Sequence, residues 1–206
     1  MSKIVAFTGA GISRASGVPT FIELGDLRNK LSREYFEDNT YDFYELLTEM
    51  KKTCDNAKPN PAHLALAQYN IPVITMNIDG LHQRAGSKTL IEIHGNLNNV
   101  ICSNCKASYD FCVVEESIYC KQCNALIEPN VVLYGDSIPR YYDALGLISS
   151  AEELLVVGTS FYTSTAADFV GIAERAGIKV TIINDDAENQ VPIYLKQLLI
   201  PTVFTY

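Results

Sequence analysis

The sequence predicts an α/β fold, a Rossmann-like parallel sheet with helices on both faces, to which a small cysteine module and a helical insertion are added. Three observations carry this. Short apolar strands alternate with helical segments through most of the 206 residues, and strands apolar on both faces belong in parallel sheets covered by helices. A glycine loop, Gly9-Ala10-Gly11-Ile12-Ser13, directly follows the first strand, at the junction where such folds bring backbone close to a phosphate. Four cysteines form two pairs, Cys102-x-x-Cys105 and Cys120-x-x-Cys123, within a stretch that breaks the strand–helix rhythm.

The elements follow in order. Residues 3–8 read as a short apolar strand ending at the glycines. A helix starts at Asn60, which caps it, with Pro61 in the first helical position, where its missing N–H costs nothing. Residues 71–75 and 90–93 read as buried strands, and 153–157 as another. A helix over about 166–176 precedes a strand at 179–183. The last helix spans 188–199, interrupted early by Pro192, and 202–205 is expected to close the sheet. Residues 24–58 (polar, aromatic and helical) and 96–128 (rich in Cys, Asn and Ser) read as insertions that build a smaller lobe. The larger lobe would comprise about 1–23, 59–95 and 129–206. The cleft between lobes then lies at the carboxyl ends of the strands, where such sheets bind ligands.

Composition narrows the function. Asp and Glu outnumber Lys and Arg by 24 to 16, giving a net charge of -8. This argues against nucleic acid, which is held by clustered cations. It is compatible with a cationic, lysine-bearing substrate. No apolar run is long enough for a membrane span and no signal-peptide pattern is read, so a cytoplasmic protein without a membrane partner is expected. Disulfides are rare in that reducing compartment, and the six cysteines call for another use.

Two Cys-x-x-Cys knuckles separated by fourteen residues can place four thiolates around one tetrahedral zinc. With Cys102, Cys105, Cys120 and Cys123 all ligating, no position remains for water, so the metal would be structural. Position 14 is Arg14 where a dehydrogenase fingerprint needs its third glycine, which disfavours hydride transfer. Asn77-Ile78-Asp79, at the end of a buried strand, reads either as a ribose- or amide-binding pair or as an Asx turn capping the next helix. His94, before the cysteine module, reads either as a structural histidine or as a general base. His63 and His82 fall within helical segments and read as structural.

Taken in order, these segments resemble the sirtuins. Gly9-Ala10-Gly11-Ile12-Ser13-x-x-Ser16-Gly17-Val18-Pro19-Thr20-Phe21 is similar to their first NAD loop, and Lys58-Pro59-Asn60-Pro61-Ala62-His63 to a helix start common among them. Asn77-Ile78-Asp79-Gly80-Leu81-His82-x-x-Ala85-Gly86-Ser87 resembles the nicotinamide-pocket motif, and His94-Gly95 the catalytic histidine. Val131-Val132-Leu133-Tyr134-Gly135-Asp136 resembles the substrate-pairing segment, and Gly158-Thr159-Ser160 with Asn184 the later NAD contacts.

The resemblance implies an NAD-dependent protein-lysine deacylase that consumes NAD as co-substrate and holds one structural zinc. An acyl-lysine oxygen would displace nicotinamide, giving an imidate joined to ADP-ribose. His94 would take a proton from a ribose hydroxyl, and water would complete release of lysine and O-acyl-ADP-ribose. The cofactor residues implied are Gly9, Ala10, Gly11, Ser13, Ser16, Thr20, Phe21, Asn77, Ile78, Asp79, Gly158, Thr159, Ser160 and Asn184. Val132, Leu133, Tyr134 and Gly135 would meet the acyl-lysine peptide. Two departures, Ile22 where sirtuins carry Arg and Met76 where they carry Gln, remove polar groups near NAD. Together with a 24–58 region shorter than the usual cofactor loop, they point to weaker cofactor binding or to a glycohydrolase or ADP-ribosyltransferase alternative; an NAD- or ADP-ribose-binding sensor is a separate alternative. Sirtuins that remove acidic acyl groups carry a Tyr-x-x-Arg pair. Here Tyr44 is followed by Leu47, so neutral acyl groups are expected.

Overall fold

The computed structural model describes residues 3–20, 22–160 and 164–199. In chain order it contains β1 (Ile4–Thr8), α1 (Arg33–Asp38), α2 (Thr40–Asn56), α3 (Pro61–Gln68), β2 (Val73–Thr75), α4 (Leu81–Arg84), β3 (Leu90–Glu92), β4 (Gly95–Cys102) and β5 (Ser108–Asp110). It continues with α5 (Val113–Glu116), β6 (Ile127–Val131), α6 (Tyr141–Ser149), β7 (Glu153–Val157), α7 (Ser164–Arg175), β8 (Lys179–Ile183) and α8 (Ala187–Leu199). Two 3₁₀ segments, Ala10–Ser16 and Gly25–Lys30, fill the loop after β1.

Five parallel strands form one sheet in the order β3-β2-β1-β7-β8. Their alternation is apolar on both faces because both are covered. Ile4 and Ala6 of β1 pack with α3 and α8 through Leu66, Val191 and Leu195. Val5 and Phe7 pack on the other side with α6 and α7 through Ile148 and Phe169. Each buried aliphatic or aromatic side chain contributes about 1.5–3 kcal/mol of transfer free energy. β4, β5 and β6 form a separate antiparallel sheet in the order β5-β4-β6. It shares a core with the helices after β1. Phe36, Phe43, Tyr44 and Leu47 of α1 and α2 lie buried against Val100, Phe111, Ile127 and Leu133.

The helix start at Asn60 forms as its sequence dictates: Oδ1 accepts the Ala62 N–H, and His63 returns a bond to the Asn60 N–H. The strands expected at 71–75 and 90–93 are shorter. Ile71 N–H is drawn back to Leu66 O, closing the preceding helix, and Pro72 has no N–H for the ladder. α8 runs through Pro192 without the expected interruption. Pro192 lies early in the helix and costs only the bond to the Glu188 carbonyl. The strand expected at 202–205 lies outside the described residues, among which no helix is long and apolar enough to cross a membrane.

Candidate functional site

β1 pairs with β2 on one side and β7 on the other, so the loops leaving β1 and β7 diverge at a topological switch point, where parallel sheets bind ligands. These two loops also touch. Gly9 N–H donates to Val157 O at 3.0 Å and Gly11 N–H to Gly158 O at 2.8 Å. A Cβ on Gly11 would fall 2.7 Å from Gly158 Cα, and one on Gly158 (φ +64°) 2.1 Å from Ile12 N. These glycines are therefore fixed by loop-to-loop contact, whatever ligand they approach. Ala10 opens the first 3₁₀ segment, and Ser16 Oγ accepts from Asn60 Nδ2 at 3.0 Å. Thr20 is tied to Glu23 through both its N–H and its hydroxyl, each at 2.8 Å. Phe21 lies outside the described residues. On the β7–β8 side, Thr159 N–H donates to Asn184 Oδ1 at 3.0 Å, joining two expected cofactor residues, and Ser160 is exposed.

Beneath the glycines lies a chain of buried polar groups whose direction follows from hydrogen counting. Ser13 has one hydroxyl hydrogen and donates it to Asp79 Oδ2 at 2.7 Å. It must therefore accept from Asn77 Nδ2 at 3.1 Å and from His63 Nε2 at 3.3 Å. His63 then carries its proton on Nε2, leaving Nδ1 to accept the Asn60 N–H at 3.4 Å. Asp79 Oδ1 accepts Leu81 N–H at 2.8 Å, the Asx turn. The Asx-turn reading of Asp79 is met through Oδ1, and Oδ2 is engaged by Ser13. Ile78 faces the smaller core.

By the same counting, Thr8 donates to Thr75 Oγ1 at 2.8 Å and accepts from His82 Nε2 at 2.9 Å. The His63 and His82 rings lie 4.8 Å apart. Burial pushes His63 down to about 4 and His82 well below the usual histidine value, so both are neutral at pH 7. Arg84 was not singled out by sequence, because its partners are backbone carbonyls with no sequence signature. Its guanidinium reaches the carbonyls of Cys54, Ala57 and Asp79 at 2.7–2.9 Å, tying the end of α2 to this site.

His94 lies between β3 and β4, and Gly95 after it decides its position. A Cβ at Gly95 (φ +74°) would stand 2.0 Å from Asn130 O, so only glycine permits the β4–β6 pairing there. His94 Nδ1 is 3.1 Å from Met76 O. A carbonyl only accepts, so Nδ1 carries the hydrogen and Nε2 presents a lone pair. Burial lowers the basicity of His94, partly opposed by this bond, and the ring is neutral at pH 7. Met76 itself lies beside the glycine loop, its Cε 3.2 Å from where a Gly9 Cβ would be. Val132 N–H donates to His94 O at 2.9 Å, so the histidine and the segment Val132–Gly135 are adjacent. Leu133 is buried, while Tyr134 and Gly135 are exposed along a groove of about 530 Å³ bounded by α1.

The Sγ atoms of Cys102, Cys105, Cys120 and Cys123 all lie within 4.8 Å of one another. A tetrahedron with Zn–S bonds of about 2.3 Å needs sulfurs roughly 3.8 Å apart, so the set fits a zinc ion. The knuckles repeat each other: Cys102 N–H donates to Ala107 O at 2.9 Å, and Cys120 N–H to Ala125 O at 2.8 Å. The residue after each second cysteine, Lys106 and Asn124, takes positive φ. Tyr109 OH, 3.1 Å from Cys120 Sγ, lowers the pKa of that thiol and favours the thiolate that binds metal.

Comparison with known proteins agrees with this geometry. The Sir2 family profile matches residues 9–164. The NAD-dependent protein deacetylase of Bacillus cereus is 36% identical over 204 residues, covering 91% of this chain and 84% of that protein. The NAD-dependent protein deacetylase of Thermotoga maritima is 38% identical over 201 residues, covering 87% and 80%. Among solved structures, Sir2Tm bound to a propionylated peptide superposes with a TM-score of 0.86 at 34% identity, covering 96% of this chain and 94% of that one. A Sir2–p53 peptide–NAD+ complex matches equally, with a TM-score of 0.86 at 34% identity.

Proposed function

The chain belongs to the Sir2 family and is an NAD-dependent protein deacetylase, and from that premise we propose how its own residues divide the work. NAD, when bound, supplies the ribose carbon that accepts the acyl oxygen and the nicotinamide that leaves. His94 Nε2 takes the proton of a ribose hydroxyl. One observation carries this role: Nδ1–H is committed to Met76 O on a ring that burial keeps neutral, so Nε2 is the free base. Asn77 and Asp79, already oriented by Ser13, hold the ribose and the nicotinamide amide. The Ser13 hydroxyl is turned inward to Asp79, so the backbone of the glycine loop, and not this side chain, approaches phosphate. Thr159 and Ser160 support the phosphates, and Asn184, bonded to the Thr159 N–H, serves the adenosine ribose.

Val132, Leu133, Tyr134 and Gly135 meet the acyl-lysine peptide, beside His94 because Val132 is bonded to its carbonyl. Neutral acyl groups are favoured. Leu47 is fully buried in the smaller core and Tyr44 OH is spent on Ile127 O, so this pair offers an acidic acyl group no cation. The four cysteines hold a structural zinc, and a reducing cytoplasm keeps them available for it.

Incubating the purified protein with NAD and an acetyl-lysine peptide tests the reading by mass spectrometry. The expected products are free-lysine peptide, nicotinamide and O-acetyl-ADP-ribose in equal amounts. Equal nicotinamide release with and without peptide would overturn it in favour of NAD hydrolysis.

A further inference from the structure

The turn that follows the substrate-pairing segment is closed by one carboxylate. Asp136 N–H donates to Leu133 O at 2.9 Å, and Leu133 N–H returns to Asp136 Oδ2 at 3.1 Å. Gly135 sits inside this turn at φ +99°. The same carboxylate is gripped from the helical insertion, for Arg33 Nε reaches Oδ1 and Nη2 reaches Oδ2, both at 2.9 Å. This is the bidentate fork that gives an Arg–carboxylate pair its directionality. Around it the backbones are also paired: Tyr134 N–H donates to Leu31 O at 3.0 Å, and Arg33 N–H to Tyr134 O at 2.9 Å. The guanidinium lies 5.3 Å from the Phe36 ring centroid and 3.5 Å from Glu128, so it is held on several sides. Burial costs the Asp136 carboxylate something, but Arg33 and the Leu133 N–H outweigh it and keep it ionised.

We propose that Arg33 and Asp136 form a latch that positions the segment Val132–Gly135 for the substrate peptide, making both residues determinants of peptide affinity. The proposal rests on the reading of that segment as peptide-pairing. Tyr134 is fastened through both of its backbone groups and Leu133 through the Asp136 side chain, so the latch fixes the backbone against which a peptide must register. Neither residue touches the Ser13–Asp79 network or His94, so the effect falls on peptide binding and spares the chemical step. The groove beside the latch carries Glu34, Glu37 and Asp38 on α1, so releasing Arg33 would also leave that wall without its nearest cation.

Steady-state kinetics with acetyl-lysine peptide and NAD test this in Arg33→Ala, Asp136→Asn and the double variant. Each single change is expected to raise the peptide KM about 10-fold or more, the lower end of the scale of a lost charged hydrogen bond. kcat and the KM for NAD should stay within about twofold. The double variant should lie within about twofold of the worse single variant, because the second change removes a partner already lost. Arg33→Lys, which keeps the charge without the fork, should fall between wild type and Arg33→Ala. A peptide KM within twofold of wild type in both single variants overturns the latch. So do multiplied effects in the double variant, or kcat falling in step with KM. If Arg33→Ala melts well below the wild type, the judgement rests on Asp136→Asn, which keeps the oxygen that accepts from Leu133. Amide chemical shifts of residues 132–135 in the wild type, with and without peptide, separate the two ideas, since the Val132, Leu133 and Tyr134 N–H groups already donate within the protein. Peptide-induced shifts with silent variants defeat the latch alone, whereas unmoved shifts defeat the peptide-pairing reading on which it rests.

Discussion

Around Thr8, Ser13, Asn77 and Asp79 the polar side chains are buried and paired with other protein groups, whereas Cys105 and Cys123 are exposed, each with its sulfur against another cysteine's. The first region is largely satisfied as folded, with His82 Nδ1 buried and without a partner among the described residues. Its hydrogen bonds run in one direction from the Asn60 amide through His63 and Ser13 to Asp79, so the groups proposed to receive NAD are oriented before it arrives. Such preorganisation lowers the cost of binding. The second region has its geometry from two repeated knuckles but takes its cohesion from a metal. Neutral thiols bind one another weakly, while four thiolates around zinc contribute folding free energy directly. The difference sets an expectation for which perturbations reach which function: those at the sheet end should act on chemistry, those at the cysteines on stability.

The sharpest division is expected from His94→Ala. It should lower kcat by about 10²- to 10⁴-fold, the range of a general base, while changing thermal stability little, since one hydrogen bond to Met76 O is lost. Unchanged kcat would remove the general-base assignment.

Next, metal analysis should find about one zinc per chain, and chelation or Cys123→Ser should lower Tm by roughly 10 °C or more. A fully stable protein with well under one zinc would break the comparison from the other side.

A third, intermediate effect is expected at the join between the regions. Gly95→Ala forces a Cβ toward Asn130 O at a positive φ and should destabilise by about 2–3 kcal/mol, read from denaturant midpoints. It should also lower kcat, because it displaces His94.

The smallest effect is a pH slope. His63 is depressed to about 4 in the folded protein, so the unfolded chain binds the proton first as pH falls. Its stabilising share is full above about pH 6.5 and is lost between there and about 4, at no more than about 1.4 kcal/mol per pH unit. His63→Gln should flatten that slope. An equal slope in wild type and variant would show that the network is not the buried, neutral system described.

Much of this was legible in the sequence. The strands at 153–157 and 179–183 are bounded as their apolar runs indicate, and the Asn60 cap and its Pro61 are local signals that tertiary structure left intact. The four cysteines announce their grouping by spacing alone, since a knuckle is a local structure. Other features were legible only in part. Thr20 carries a motif position, yet its side chain is engaged with Glu23. Ser13 reads as a cofactor residue of the glycine loop, and nothing in its motif announces that its hydroxyl points to Asp79, sixty-six positions away in the chain. Arg33 and Asp136 are 103 residues apart and belong to no pattern that a linear reading tests.

By itself, the sequence determined the local and periodic features: alternating apolar strands, capped helices, glycines at the loops, two cysteine knuckles and the order of the family's motifs. Each depends on residues close together in the chain, whose conformational preferences act before any long-range contact forms. The tertiary structure alone decided which hydroxyl donates to which carboxylate, which nitrogen of each histidine holds the proton, and that Gly11 and Gly158 exclude side chains from each other. These depend on contacts between distant segments, where a hydrogen bond requires about 3 Å and a burial that no local pattern encodes.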